Sequence, residues 1–449
     1  MQAMDMSVGH FGDGRLQKGG ALLLGALVAN PCSSIRRLAG SRAREVQFHR
    51  LLRNAGVTVE EMARVAGHRT GVLARGRDVA VIQDTTEVYV GSKRASEAGF
   101  GPIGKGGALR GVLAHVAIAV DDTGGLIGLV DEMVWTRQGG QPVTDRKRKF
   151  EDKESYRWLK ACEVASERLA GARSITMVSD AESDIFPVFA RCPEGLHLLV
   201  RSARTRSLSD GQRLADAAAT LKKGGRIKRI IPAAPGRSER RAVLDVRYGE
   251  LTLAPPHGTP DALIEPLTLT VLQVTELNAP QGVEPVNWTL ITTHKITDLR
   301  RAEEILDLYR GRFLIEQLFR TLKTAGFDIE NADINDPHAF ITLTALAIIA
   351  SVNILQLVKA RDGDTGQILE DCFDPDDAPI LRALSKKLEG KTDKQKNPHP
   401  LDQLAFASWV IARLGGWTGY YGKPGPKVMR QGLDKYFAIK CGSNLYGIV

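Results

Sequence analysis

Four side chains in the segment 298–326 combine a phenol, two cations and a carboxylate at helical spacing. They stand at offsets of 0, 3, 7 and 14 and are Tyr309, Arg312, Glu316 and Lys323. On a helix that turns about 100° per residue, all four fall within a sector of about 60°. Carboxylate oxygens bind hard cations, whereas arginine and lysine bind phosphate oxygens. The spacing therefore predicts a site that holds a metal ion and a polyanion together.

The opposite side of this segment is apolar. Its positions are Leu314, Leu318 and Leu322, with Ile315 on their flank. We expect one continuous amphipathic helix over 298–326, with the apolar side on the core and Arg320 close to the polar residues. For the four polar residues alone, the alternative is a surface helix with scattered charge.

Two aspartates follow short apolar stretches that are typical of buried strands. Asp84 ends the stretch 79–84, and Asp180 follows the stretch 174–179. At strand ends both carboxylates would lie at one edge of a sheet, where Glu316 could join them. Three carboxylates can bind two Mg²⁺ ions, which activate the attacking oxygen and stabilise the leaving oxygen in a phosphate displacement. For either aspartate alone, the alternative is a turn-forming or capping residue.

Hydrophobic periodicity predicts the elements that position these acids. From residue 78 the predicted order is β-β-β-α-β-α-β, with strands at 79–84, 115–120, 126–136, 174–179 and 196–202 and helices at 146–169 and 184–192. A β-rich block follows at 226–233, 241–254 and 267–277, and a last strand at 288–293 leads into the segment 298–326. We expect Asp184 to begin the helix 184–192, which favours Asp180 as the second acid.

The chain ends are predicted to be helical. The expected N-terminal helices are 15–30, 42–54 and 58–66, the last with a capping box at Thr58 and Glu61. The stretch 338–358 is apolar enough to be a buried helix, and helices are also expected at 401–414 and 428–440. The charged stretch 385–400 is expected to be a loop.

These motifs resemble the insertion-sequence-four family of DDE transposases. The family's helix signature is Tyr, two residues, Arg, three residues, Glu, six residues, Lys, which is the spacing from Tyr309 to Lys323. Asp84 and Asp180 match the family's first and second acids and precede this signature in the family's order. The resemblance implies that Asp84, Asp180 and Glu316 are catalytic and bind Mg²⁺, with Mn²⁺ as a substitute.

The resemblance also implies a set of DNA contacts. Tyr309, Arg312 and Lys323 would hold phosphates beside the cleavage site, and Trp288 would fill the gap left by an extruded base. Arg320 is a candidate for a further phosphate contact. So are three arginines at or just after the end of a predicted strand, which are Arg201, Arg204 and Arg206. A core tryptophan is the alternative for Trp288, and a solvated basic loop is the alternative for Arg201.

A ribonuclease-H-like α/β core with a β-rich insertion follows from the same resemblance. The expected domains are an N-terminal helical DNA-binding domain at 1–75, a catalytic domain at 76–325 and a C-terminal helical dimerisation domain at 326–449. The insertion is expected at about 205–285. The family cuts and pastes DNA by nicking, hairpin formation, hairpin opening and strand transfer, and acts as a homodimer on transposon ends and target DNA.

Composition agrees with a DNA partner. The 449 residues include 61 Lys and Arg against 52 Asp and Glu, a formal net charge of +9. The five cysteines form neither a C-x-x-C pair nor a cluster with histidine, which argues against structural zinc and favours a reducing cytosol. We expect no membrane partner and a cytoplasmic, nucleoid-associated protein.

Other functional classes remain alternatives. A metal-dependent nuclease or resolvase on the same fold would cut without joining ends, and a DNA-binding repressor would not cut. The sequence Gly99-Phe-Gly-Pro-Ile-Gly104 matches G-x-G-x-x-G but does not open a helix, which argues against a nucleotide site.

Overall fold

One mixed sheet organises the chain. The computed structural model describes residues 7–30, 32–91, 98–137, 148–202, 204–231, 238–257, 259 and 264–446. Its ten strands are β1 Asp78–Tyr89, β2 Gly101–Ile103, β3 Leu109–Asp121, β4 Leu126–Trp135, β5 Ser174–Ser179, β6 Leu196–Arg201, β7 Lys223–Ile231, β8 Arg240–Leu253, β9 Leu267–Leu277 and β10 Asn287–Thr292. They follow the order β2-β3-β1-β5-β6-β10-β9-β8-β7, and β4 also pairs with β3. Only β1–β5 and β5–β6 are parallel among these pairs.

Helices cover this sheet. They are α1 Gly14–Ala29, α2 Ile35–Ala39, α3 Arg42–Leu52, α4 Val59–Leu73, α5 Arg157–Arg168, α6 Phe186–Ala190, α7 Leu214–Thr220, α8 Leu299–Gly311, α9 Phe313–Arg320, α10 Pro337–Ala360, α11 Asp377–Leu388, α12 Leu404–Leu414 and α13 Pro426–Tyr446. Polar caps begin several of them, because a side-chain oxygen accepts from a free N–H of the first turn. The caps of α1, α3, α4 and α8 are Asp13, Ser41, Thr58 and Asp298.

The two faces of the sheet carry separate cores because strand residues alternate between faces. On one face Ile82 belongs to a core that also includes α1, α3, α8, α9, α10, α12 and α13. On the other face Val81 belongs to a core with α5, α6 and α7. Helices from both ends of the chain therefore pack on the same face. The helical stretches at 1–75 and 326–449 are observed, but their independence as domains stays a prediction.

The long apolar helix α10 lies inside the protein. It is long and apolar enough to cross a membrane, but 89% of its most apolar window is buried in the structure. Its buried character agrees with the prediction for 338–358. The described residues contain no other helix of that length and composition.

Several predicted boundaries differ from those in the structure. The segment 298–326 is helical from Leu299 to Ala325 as expected, and Arg312 between α8 and α9 has helical backbone angles (φ −52°, ψ −33°), but the segment ends in a π-helical turn at Thr321–Ala325. Asp84 lies within β1 and not at its end, since antiparallel pairing with β3 extends the strand to Tyr89. The helix predicted at 146–169 begins only at Arg157, and its first two residues lie outside the described residues.

Other differences concern smaller elements. Helices α2 and α7 and strand β2, which includes part of the glycine-rich stretch, were not predicted. Residues 385–388 continue α11 instead of starting a loop. Thr58 caps α4 as expected, but Glu61 accepts from the backbone N–H of His10 at 2.6 Å, so the capping box is incomplete. The β-rich stretch expected within about 205–285 forms β7, β8 and β9, which extend the same sheet through β10.

Close packing of α13 against α12 gives a first prediction. A Cβ at Gly432 would lie 1.8 Å from the carbonyl oxygen of Ile411, whereas a Cβ at Gly442, on the same helix, would meet nothing within 4 Å. We expect Gly432→Ala to lower the free energy of unfolding by about 1–3 kcal/mol through overpacking. Gly442→Ala should raise it by up to about 1 kcal/mol through helix propensity. Urea unfolding of both variants measures the difference, and equal stabilities would contradict this packing.

Candidate active site

The first two acids lie side by side at one edge of the parallel strands. The register of β1 and β5 pairs Ile82 with Val178, and Asp84 and Asp180 each stand two residues further along. Asp180 directly follows β5, as predicted, and its carboxylate accepts from the backbone N–H of Glu182 at 2.8 Å. The register therefore brings two carboxylates of distant segments to adjacent positions.

The carboxylate of Asp84 is mostly buried and lies beside a second carboxylate. Its side chain is 15% exposed. Burial raises the pKa of Asp84 to about 7, and the nearby negative charge of Asp180 acts in the same direction. The backbone N–H of Thr85 and the guanidinium of Arg312 offset part of this effect. A buried carboxylate beside a second carboxylate forms a place where an added cation is stabilised.

Arg312 connects Asp84 to the third acid. Its Nη1 donates to Asp84 Oδ2 at 3.1 Å, and its Nη2 donates to Glu316 Oε1 at 2.8 Å. Arg312 lies at the junction of α8 and α9 and has helical backbone angles. Asp84 and Glu316 thus bind the same guanidinium, and Glu316 is the more exposed of the two, with 52% of its side chain accessible. All three acids lie in one neighbourhood.

The chemistry of this donor set fits a hard divalent cation. Asp84, Asp180 and Glu316 offer only oxygen donors, which Mg²⁺ and Mn²⁺ prefer. Among the described residues, however, no group of three or more His, Cys, Asp or Glu is arranged to hold a metal ion as it stands. The guanidinium of Arg312 lies between Asp84 and Glu316 and binds both of them. The residues present fit the ion, and their side chains must rearrange to bind it.

Tyr309 and Trp288 form an aromatic pair next to this site. Tyr309 is 2% exposed, and its ring meets that of Trp288 edge to face, with centroids 5.6 Å apart. Burial raises the pKa of the Tyr309 phenol, and the cations Arg312 and Arg201 partly offset that rise. The sequence placed this phenol on the polar side of the segment, opposite the side expected on the core, but the ring is buried. Trp288 is partly buried against the same core.

The outer basic residues are spread more widely. Lys323 lies in the π-helical turn with its Nζ 3.8 Å from Glu330, and burial lowers the pKa of its ammonium group. It therefore contacts Glu330 and not the three acids. Arg320 is exposed at the end of α9. Arg201 is exposed at the end of β6, opposite Leu290 of β10.

A second arginine near the acids was missed in the sequence. Arg157 begins α5, donates from Nε to Thr85 Oγ1 at 2.8 Å and donates from Nη2 to Glu182 Oε2 at 3.1 Å. Thr85 also contacts the buried His115, whose Nδ1 lies 2.9 Å from Oγ1. Burial lowers the pKa of His115 well below its usual range, so the ring is neutral. Only the strand register, which pairs Thr85 with His115, could have indicated this network.

Asp184 forms a buried structural ion pair and does not begin the following helix. The expectation that it begins a helix was wrong, because α6 starts at Phe186 and Asp184 is fully buried. It accepts from Arg206 Nε at 2.7 Å and from Ser202 Oγ at 3.1 Å. Arg206, which the sequence placed among candidate phosphate contacts, is itself 7% exposed. Asp184 therefore fixes the segment after β6 by a buried ion pair.

This ion pair gives a second prediction. We expect Asp184→Ala to lower the free energy of unfolding by about 3–5 kcal/mol, because Arg206 would keep a buried charge without its counterion. Glu194→Ala, at an exposed position after α6, should change it by less than about 0.5 kcal/mol. Thermal and urea unfolding of both variants provide the measurement. An Asp184→Ala protein as stable as wild type would rule out the structural importance of the pair.

Comparison with known families agrees with this geometry. Residues 172–353 match the family model of the transposase DDE domain. The matched segment begins just before β5, ends within α10 and contains Asp180, Arg312 and Glu316. It spans less than half of the chain, and Asp84 lies before it. The match supports a DDE transposase family, and with it a metal-dependent transposase that binds DNA.

Proposed function

We propose that this chain is a cut-and-paste DNA transposase of the insertion-sequence-four type. The observation that carries the proposal is the meeting of Asp84 and Glu316 on Arg312, with Asp180 beside Asp84, within a fold whose residues 172–353 match the transposase DDE domain. The proposed reaction nicks one strand at each transposon end, forms and opens a hairpin, and joins the 3′-ends to target DNA.

The three carboxylates are the proposed holders of Mg²⁺. When bound there, Mg²⁺ supplies the Lewis acidity that activates a water or 3′-hydroxyl oxygen and stabilises the leaving oxygen. The oxygen atoms of Asp84, Asp180 and Glu316 fix the position of that chemistry at the sheet edge. The neutral His115 and the guanidinium of Arg157 both contact the hydroxyl of Thr85. They thereby fix the backbone N–H of Thr85, which donates a hydrogen bond to Asp84.

The remaining residues are proposed to hold DNA. Arg312 offers a planar fork to a phosphate, and Lys323 offers a point charge. Arg320 and Arg201 are exposed at the ends of α9 and β6, where a phosphate backbone could reach them. Trp288 is proposed to stack in the gap left by an extruded base, with Tyr309 supporting its ring from the core.

Assembly and location follow from the proposed reaction. Two transposon ends must be brought together, so we propose a homodimer in which the C-terminal helices make subunit contacts. Because its proposed substrate is DNA, we propose that the protein is cytoplasmic and associated with the nucleoid. The excess of nine positive charges favours association with DNA.

A strand-transfer assay tests the proposal. The purified chain is incubated with Mg²⁺, a duplex that carries the inverted repeat flanking its gene, and a supercoiled target plasmid. We expect nicked, hairpin and joined products in that order. Nicked products without joining would indicate a nuclease, and binding without any cleavage would indicate a repressor.

A further inference from the structure

The guanidinium of Arg312 occupies the space between two acids that are proposed to hold a metal ion. It binds Asp84 at 3.1 Å and Glu316 at 2.8 Å, and no metal-binding group is formed among the described residues while it does so. We infer, on the basis of the proposed function, that Arg312 prevents metal binding while its guanidinium binds Asp84 and Glu316. The guanidinium leaves these acids when it binds a phosphate of the transposon-end DNA. Metal binding and DNA binding are thereby coupled through one side chain.

Charge balance supports the first half of this inference. The Asp84 side chain is largely buried and has Asp180 beside it, so an empty site would leave these carboxylates without sufficient counter-charge. Arg312 supplies that charge and is itself 9% exposed. An arginine fork that satisfies two carboxylates competes directly with a divalent cation for the same oxygen atoms.

Incomplete satisfaction of Arg312 supports the second half. Its buried Nε–H makes no well-aligned hydrogen bond, although the Tyr309 phenol lies close to the guanidinium, so its present position is less favourable than a fully bonded one. One of its two carboxylate partners, Glu316, is more than half exposed. The guanidinium also lies over the exposed ring of Phe313, with 5.1 Å between Cζ and the ring centroid. The guanidinium of Arg312 can rotate toward a phosphate while it remains in contact with this ring.

Coupling follows from these two properties. A phosphate that captures Arg312 frees oxygen atoms of Asp84 and Glu316, and a cation bound to those oxygen atoms frees Arg312 for phosphate. By thermodynamic linkage each ligand then raises the affinity for the other by the same factor. The arrangement would keep the protein from loading metal productively in the absence of a transposon end.

Mn²⁺ titration followed by the electron paramagnetic resonance of the free ion tests this inference without any catalytic readout. In the absence of DNA, we expect Arg312→Gln to bind Mn²⁺ about tenfold more tightly than wild type, or tighter still, because the competing charge-assisted hydrogen bonds are gone. Arg312→Lys, which keeps the charge but loses the fork, should also bind more tightly than wild type. Arg310→Gln is the matched control, since Arg310 pairs with Asp307 at 3.1 Å, and should resemble wild type.

The second arm adds a short end duplex, with the Mn²⁺ bound by the duplex alone subtracted. The duplex should tighten Mn²⁺ binding by wild type and leave that of Arg312→Gln nearly unchanged. The inference is overturned if Arg312→Gln and Arg312→Lys bind Mn²⁺ no more tightly than wild type while wild type binds it with DNA present. If wild type binds no Mn²⁺ even with DNA, the proposed function itself fails. Circular dichroism spectra establish that each variant is folded before it is titrated.

Discussion

Asp84→Asn is expected to lower DNA cleavage by about 10³-fold or more and to leave the protein folded. Loss of one metal-binding carboxylate removes several kcal/mol of transition-state stabilisation, and about 1.4 kcal/mol corresponds to a factor of ten in rate. The asparagine oxygen can replace only one of the two carboxylate oxygens that accept from Arg312 and from the backbone N–H of Thr85, so one hydrogen bond is lost. Because burial and Asp180 disfavour the charge on Asp84, removal of that charge offsets part of this cost, and the protein should stay folded.

The measurement is the rate of end nicking in Mg²⁺, accompanied by thermal unfolding. Glu182→Gln is the matched control, because Glu182 lies two residues after Asp180, is 64% exposed and pairs with Arg157. It should nick DNA within a few-fold of wild type. A nicking rate of Asp84→Asn that equals that of Glu182→Gln would remove Asp84 from the active site.

Trp288→Ala is expected to impair hairpin formation selectively. A base stacked on an aromatic side chain gains about 1–3 kcal/mol, so its loss should slow that step by about 10-fold to 100-fold. Initial nicking requires no extruded base and should change little. On a time-resolved gel, nicked ends would therefore accumulate and hairpins would be scarce.

The contact with Tyr309 makes a control necessary for this variant. Because the two rings pack with centroids 5.6 Å apart, truncation of Trp288 also removes core contacts. Trp288→Phe keeps an aromatic surface and should recover most of the hairpin yield. Equal loss in the phenylalanine and alanine variants, or normal hairpin yield in both, would argue against stacking by Trp288.

Much of the strand framework was predictable because local pattern controls it. The strand at 174–179 was predicted at its observed bounds, and the apolar side of the helix at 314–322 is buried as expected. Alternation and continuous apolar runs are local properties of a sequence. The adjacency of Asp84 and Asp180 followed from strand ends, although Asp84 proved to lie within a longer strand.

The errors arose where tertiary contacts override local pattern. A helical wheel over 298–326 gives the angular position of each residue but not what packs against each side of the helix. The wheel therefore placed Tyr309 on the side opposite the core, although its ring is buried beside Trp288. No spacing rule indicated the buried partnership of Asp184 with Arg206, which joins segments across the end of β6.

The central claim is that Asp84, Asp180 and Glu316 bind one divalent-cation site. Crystals of the protein with an end duplex, grown with Mn²⁺ and measured for anomalous scattering, test it most directly. The account predicts a Mn²⁺ peak within bonding distance of carboxylate oxygens from all three residues, with the guanidinium of Arg312 turned onto a DNA phosphate. A bound duplex with no Mn²⁺ at these carboxylates, or with Mn²⁺ held by other residues, would contradict it.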